Sequence, residues 1–177
     1  FSRGEGAAGG EAPFLMPVEE VAEQAAIAAA AGATEVCLQG GIHPAFTGDF
    51  YAALVAAVRE AAPSLHIHAF SPQEVWQGAQ SLGVPVPDFL RRLRDAGLGS
   101  LPGTAAEILD DGVRRVLCPG KIGTAQWVEV VEAAHRLGIP ATATIMFGHV
   151  DSPASWARHL DVVRRLQERT GGFTEFV

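Results

Sequence analysis

Residues 34–44, TEVCLQGGIHP, decide how the rest of the chain is read. An apolar run with β-branched content (Thr34, Val36, Cys37, Leu38) stops at the pair Gly40-Gly41, which reads as a buried strand ending in a turn with bare backbone. Glycine there lets a ligand approach the main chain, although a glycine pair at a strand end also serves as a plain turn. The same event recurs along the chain. LHIHAFSP (65–72), LGSLPGT (98–104), RRVLCPGK (114–121) and ATATIMFGH (141–149) each run from an apolar strand into Gly, Pro or Ser beside a polar group. Every strand delivers polar residues at its C-terminal end.

With 177 residues, 48% hydrophobic and 19% charged, the chain has room for one sizeable core and reads as a single domain, 1–177, or part of one. The formal net charge of −7 comes with basic residues spread singly or in pairs such as Arg91-Arg92, Arg114-Arg115 and Arg164-Arg165. That spread argues against nucleic acid or an anionic membrane as partner. No apolar run approaches the roughly 20 residues of a membrane span, and the stretch from Ala25 to Ala31 is a helical alanine tract, so a cytoplasmic home is expected. Cys37 and Cys118 fall in strand-like runs without a partner at metal-ligand spacing and read as buried small hydrophobes.

In chain order, residues 1–16 lack periodicity and read as a loop. A helix follows from Pro17 to Ala30, with Glu19, Glu20 and Glu23 in its opening turns. After the strand at 34–38, residues 49–62 form an amphipathic helix with Phe50, Leu54, Ala57, Val58 and Ala61 on one face. A strand at 65–70 leads to Ser71, Pro72 and Glu74, the pattern of a capping box, and then to a second helix at 87–96. The remaining expectations are a strand at 98–101, a short helix at 105–109, a strand at 113–118, a helix capped by Thr124, a strand at 139–147, a helix from Pro153 to Arg169 capped by Ser152, and a last strand, FTEFV. Strand and helix alternate, which is the pattern of right-handed βαβ units and a parallel sheet. A doubly wound nucleotide fold concentrates its signal in one glycine loop, whereas here polar residues spread over successive strand ends, as in a (β/α) barrel.

His66 and His68 lie two apart on one strand and share a face. With Lys121 and His149 they fit a barrel-type zinc hydrolase, although His66, near the strand start, reads as bottom-layer packing. Glu74 is accounted for as a capping-box acid, and Glu107 as an acid favoured in a first helical turn. Glu175, inside an apolar strand, needs a partner or a ligand. His135 and His159 read as solvated helix faces. No phosphate-binding P-loop or nucleophile elbow is present.

Taken together, QGGIHP (39–44), HIHAFSP (66–72), GLGSLPGTAAEIL (97–109), TATIMFGHVDSP (142–153) and TGGFTEFV (170–177) resemble the radical S-adenosylmethionine enzymes of deazaflavin synthesis. The resemblance runs from Val18 onward and is strongest to the second, tyrosine-using component of FO synthase, as a separate subunit or as the C-terminal half of the fused enzyme. The menaquinone enzymes of the futalosine route share the frame and stand as the alternative. The resemblance implies a (β/α) TIM-type barrel with a 4Fe-4S cluster held by three closely spaced cysteines after the first strand. Those cysteines are absent here, and Phe1 to Gly4 is similar to the segment that follows the last of them. The expectation is therefore a partial barrel, parallel strands 2 to 7, inactive by itself.

In such enzymes the reduced cluster cleaves S-adenosylmethionine, the resulting deoxyadenosyl radical takes hydrogen from tyrosine, and the hydroxybenzyl fragment joins 5-amino-6-(D-ribitylamino)uracil. The resemblance places Gln39, Gly40 and Gly41 at the methionine end of S-adenosylmethionine, and Ser100, Pro102, Thr104, Met146 and Gly148 around its adenosine. It places His43, His68, Glu107 and His149 on the side of the two substrates. It assigns no catalytic residue and no metal ligand, and it implies the first FO synthase component, or a fused half, as partner. Phe147 departs from the Tyr expected before Gly-His.

Overall fold

A computed structural model describes residues 15–40, 42, 43 and 45–177. Gly41 and the loop expected at 1–14 lie outside the described residues.

Among the described residues seven helices and four short strands follow one another, with four helices in succession between the second and third strands. Strand β1 (Glu35–Leu38) lies parallel to β2 (His66–Ala69), with Glu35 opposite His66 and Leu38 opposite Ala69. Strand β3 (Ala141–Ala143) lies parallel to β4 (Phe173–Phe176), with a register shift between Ala141 and Thr142. Single parallel bridges, His68 to Ser100 and Leu101 to Ala141, join the two pairs. The result is one open α/β sheet whose strands follow in sequence order, the order that right-handed crossovers impose. Among the described residues the sheet does not close.

One face of the sheet is covered by helices α1 (Val18–Ala30), α2 (Gly48–Ala61), α3 (Pro72–Leu82), α4 (Val86–Ala96) and α6 (Thr124–Arg136). Ile67, Ala69, Leu101 and Ala141 point into this layer and meet Val55, Val75, Leu90, Leu93 and Trp127 in one continuous core. Because side chains alternate along a strand, the opposite face carries Glu35, Cys37, His66, His68, Ser100 and Thr142. Helices α5 (Asp111–Leu117) and α7 (Pro153–Thr170) complete the chain. Among the described residues no helix is long and apolar enough to cross a membrane.

The structure corrects several expectations. Residues 113–118 are not a strand. Asp110 accepts the Gly112 N–H at 3.0 Å and starts α5, so Leu101 bridges directly to Ala141 with no strand between. Residues 105–109 are a loop of turns, with Ala105 and Glu107 at φ of 60° and 40°, values a helix does not admit. The strand expected at 139–147 keeps only its three residues Ala141–Ala143, and that at 98–101 only its two bridges. Gly123, not Thr124, caps α6, its N–H bonding the Gln126 side chain at 2.9 Å.

The buried face of α2 centres on Tyr51, Leu54, Val55 and Val58, while Ala61 is exposed. Cys37 is exposed because it alternates onto the uncovered face. Glu175 is also exposed, and so needs no buried partner. His135 and His159 are not solvated: they are 9% and 0% exposed. The His135 ring stands edge-on to Phe173 at 4.8 Å, and His159 Nδ1 accepts the Leu109 N–H at 3.0 Å.

Candidate functional site

All strands point the same way, so their C-terminal ends form one rim. At the end of β1, Gln39 and Gly40 are exposed. The Gly40 N–H donates to Glu74 Oε1 at 2.7 Å, while Glu74 Oε2 accepts the Ser71 N–H at 2.8 Å and the Ser71 hydroxyl at 2.7 Å. Burial pushes the Glu74 carboxyl above its ordinary value, and these three donors pull against that rise. The chain reaches Ser71 through Phe70, a left-handed residue at φ 64° directly after β2.

Residues 102–104 form the next part of the rim. Thr104 Oγ1 donates to Gln39 Oε1 at 3.1 Å, closing the gap between two strand ends. Gly103 is gripped by both threonines of the following segment: its N–H donates to Thr142 Oγ1 at 2.9 Å, and its carbonyl accepts from Thr144 Oγ1 at 2.8 Å. A Cβ at Gly103 would stand 2.1 Å from the Thr142 carbonyl oxygen, so no other residue fits there. Trp127 Nε1 holds the Thr104 carbonyl at 3.2 Å.

Beyond it, Glu107 pairs with Lys121 and lies 3.8 Å from the buried Arg114 guanidinium, while its own carbonyl accepts the Met146 N–H at 3.0 Å.

On the uncovered face, Ser100 Oγ lies 2.7 Å from His66 Nε2 and 2.6 Å from His68 Nδ1. One hydroxyl has one proton, so with both rings neutral one ring nitrogen accepts it while the other donates. Burial holds the His68 imidazole below its ordinary pKa, with the Glu35 carboxylate opposing. His68 thus stays neutral near pH 7, able to donate or accept a hydrogen bond.

The structure brings Gln39 to Thr104, Gly40 to Glu74, His68 to Ser100 and Glu107 to Met146; Pro102 is buried beneath them. It does not bring Gly148 or His149 into these contacts. Their N–H groups turn to the Asp151 carboxylate at 3.0 and 2.8 Å in an exposed loop. His43 is exposed, its Nδ1 accepting the Ala45 N–H at 3.2 Å. A groove of about 680 Å³ between α7 and β4, lined by Leu160, Val163, Phe173 and Phe176, contains none of these residues.

Sequence reasoning missed Gln77, whose amide holds the His43 and Phe46 carbonyls at 2.9 and 3.3 Å, and the second bond of Glu74. The first had no signal; the second was hidden behind a complete local explanation. Among the described residues no three of His, Cys, Asp or Glu gather as metal ligands, so the zinc-hydrolase alternative has no ligand set there.

Comparison with known proteins places the chain among relatives. The chain is 52% identical over 164 residues to the 5-amino-6-(D-ribitylamino)uracil–L-tyrosine 4-hydroxyphenyl transferase of Methanothermobacter thermautotrophicus, covering 93% of this chain and 45% of that protein. It is 53% identical over 164 residues to the FO synthase of Mycobacterium tuberculosis, covering 93% of this chain and 19% of that protein. The chain thus spans less than half the length of these curated relatives.

Among solved structures, 2,3-dimethylmalate lyase, of the PEP mutase/isocitrate lyase superfamily, superposes with a TM-score of 0.54 at 14% identity, over 88% of this chain and 52% of the lyase. That likeness concerns the fold alone. The profile of the Radical SAM superfamily matches residues 2–163, and the chain belongs to that superfamily.

Proposed function

We propose that the chain is part of the radical transferase of deazaflavin synthesis that joins the hydroxybenzyl group of tyrosine to 5-amino-6-(D-ribitylamino)uracil. The observation that carries this reading is the 52% identity, over nearly the whole chain, to a relative named for that reaction. In this reading the open parallel sheet is a portion of a TIM-type barrel and 1–177 is one partial barrel domain. The uncovered polar face is then the barrel interior, and the rim of strand ends is where its ligands bind. Its partner is the first FO synthase component, separate or fused. Two free thiols and no paired cysteines fit a reducing cytoplasm.

The rim fits S-adenosylmethionine. Gly40 leaves its backbone bare at an exposed strand end, where carbonyl groups accept from an ammonium. Gln39, Gly40 and Gly41 would hold the methionine end, and Ser100, Pro102, Thr104, Met146 and Gly148 the adenosine. When bound, S-adenosylmethionine would supply radical chemistry: on taking one electron from a reduced iron-sulfur cluster outside this chain it would release methionine and a deoxyadenosyl radical able to take hydrogen from tyrosine.

The residues of this chain do not fit the iron-sulfur cluster. Cys37 and Cys118, the two cysteines present, stand on different elements and fall short of three thiolate ligands.

His43, His68, Glu107 and His149 would line the substrate side. His68, neutral and oriented through Ser100, presents Nε2 to a substrate hydroxyl or ring N–H. Lys121 pairs with Glu107 beside the rim and fixes where that carboxylate stands.

The test supplies the full-length enzyme, reduced and free of oxygen, with ring-labelled tyrosine and the ribitylamino-uracil. A product carrying both the labelled ring and the ribityl chain is expected. A product that lacks the labelled ring, or turnover that needs no ribitylamino-uracil, contradicts the proposal and brings the menaquinone enzymes forward.

A further inference from the structure

Glu74 does more than a capping-box acid has to do. The capping box needs one side-chain oxygen, here Oε2 on the Ser71 N–H, with Ser71 Oγ accepting the Glu74 N–H in return at 3.3 Å. That leaves Oε1, which reaches back 34 residues to the Gly40 N–H at 2.7 Å. The side chain is 1% exposed, and burying a carboxylate is costly unless donors surround it. Three do.

The backbone bends just before the cap. Phe70 sits at φ 64°, a conformation costing on the order of 1 kcal/mol for a residue with a side chain. Its N–H still bonds the Leu38 carbonyl at 3.1 Å, so β1 and β2 stay paired up to the bend. The Tyr51 ring packs edge-on against Phe70 at 4.7 Å and buttresses it. A Cβ at Gly40 would stand 3.3 Å from Glu74 Oε1, so glycine and carboxylate are closely fitted. A side chain needed only to cap α3 explains neither the bend nor the second bond.

The geometry points to Glu74 as a positioning residue for the turn after β1. Its Oε1 holds the Gly40 N–H so that the Gln39 carbonyl of the same peptide stays aimed at the ammonium group of S-adenosylmethionine. This rests on the functional reading above, in which that turn holds the methionine end of the cofactor.

Glu74→Gln separates the two roles. Gln serves a capping box as well as Glu, its oxygen facing the Ser71 donors, but its amide then points N–H against the Gly40 N–H. Ser71→Ala is the complement, weakening the cap while leaving the Gly40 bond. In the full-length, cluster-loaded enzyme, calorimetric titration with S-adenosylmethionine is expected to show about a tenfold higher Kd for Glu74→Gln, the loss of one charge-assisted hydrogen bond. Tyrosine affinity should be unchanged. Ser71→Ala should lower Tm and leave the Kd alone.

Hydrogen exchange on the wild type supplies a second measurement that depends on no variant. The Gly40 amide is expected to be protected without any ligand. An unprotected Gly40 amide, an unchanged Kd in Glu74→Gln, or the same Kd change in Ser71→Ala overturns the proposal. A wild type that does not bind S-adenosylmethionine overturns the functional reading itself, and the role of Glu74 with it.

Discussion

Two neighbouring loops leave the sheet in the same direction and are held in opposite ways. The loop at 102–110 is fastened by buried groups. Arg114, 3% exposed, donates to the carbonyls of Ala105, Ala106 and Ile122; His159 accepts from Leu109; Trp127 and the two threonines hold Thr104 and Gly103. The loop at 145–151 is anchored at its start by the Ile145 and Met146 N–H groups on the Val177 and Glu107 carbonyls; beyond them Phe147 and Val150 are exposed, and Asp151 takes the N–H groups of Gly148, His149 and the Trp156 indole. Those donors hold the Asp151 carboxyl far below its usual range. The difference teaches what each loop can do. The first is a shelf whose left-handed residues are fixed before any ligand arrives; the second can adjust around one.

The largest effect should come from removing the fastening of the shelf. Arg114→Leu strands three buried carbonyls, and denaturant unfolding of the full-length protein should lose about 3 kcal/mol or more. A loss near that of a surface arginine would mean the shelf is not held this way.

His159→Leu orphans the Leu109 N–H and should cost about 2 kcal/mol. It also reports on pH. Burial pushes both His135 and His159 down to about 4, the nearby Arg114 charge adding to the effect on His159. Unfolded imidazole titrates near ~6.5, so between that value and about 4 the unfolded chain takes up protons the folded one refuses. Stability present above pH ~6.5 is thus lost as pH falls towards 4. Tm should drop across that window, and by less in His159→Leu; equal slopes would break the assignment.

Thr142→Val removes the acceptor for Gly103 and should cost about 1 kcal/mol while slowing catalysis through the rim. Asp151→Asn should move Tm little, since two of its three donors are exposed backbone N–H groups and the amide oxygen of Asn can still accept, but should speed amide exchange at Gly148 and His149. A large Tm loss there would erase the contrast between the loops.

Much of this frame was legible because its signals are local. Ser71, Ser152 and the glycines after α3, α4 and α7 mark helix ends by hydrogen-bond chemistry that needs only a few residues. The alternation of elements and the motifs at strand ends were equally plain.

What failed was settled at long range. Val113 to Cys118 has strand-like composition, but Asp110 starts a helix and Arg114 is pulled into carbonyls from residues on both sides of it. His135 and His159 sit at positions that helical periodicity leaves ambiguous; burial came from Phe173 and from the Leu109 amide. Cys37 was read as buried, but the covering helices lie on one face only. At the rim, Gly40, Ser100 and Thr104 could be named from sequence, yet their partners Glu74, His66 and Gln39 could be assigned only once the strands were side by side.

The most direct measurement on the central claim is deoxyadenosine release by the full-length enzyme, purified without oxygen and reduced, with and without tyrosine. The account predicts release of deoxyadenosine and methionine that rises with tyrosine and saturates with it. Release indifferent to tyrosine, or none in a protein carrying its full complement of iron, would contradict it.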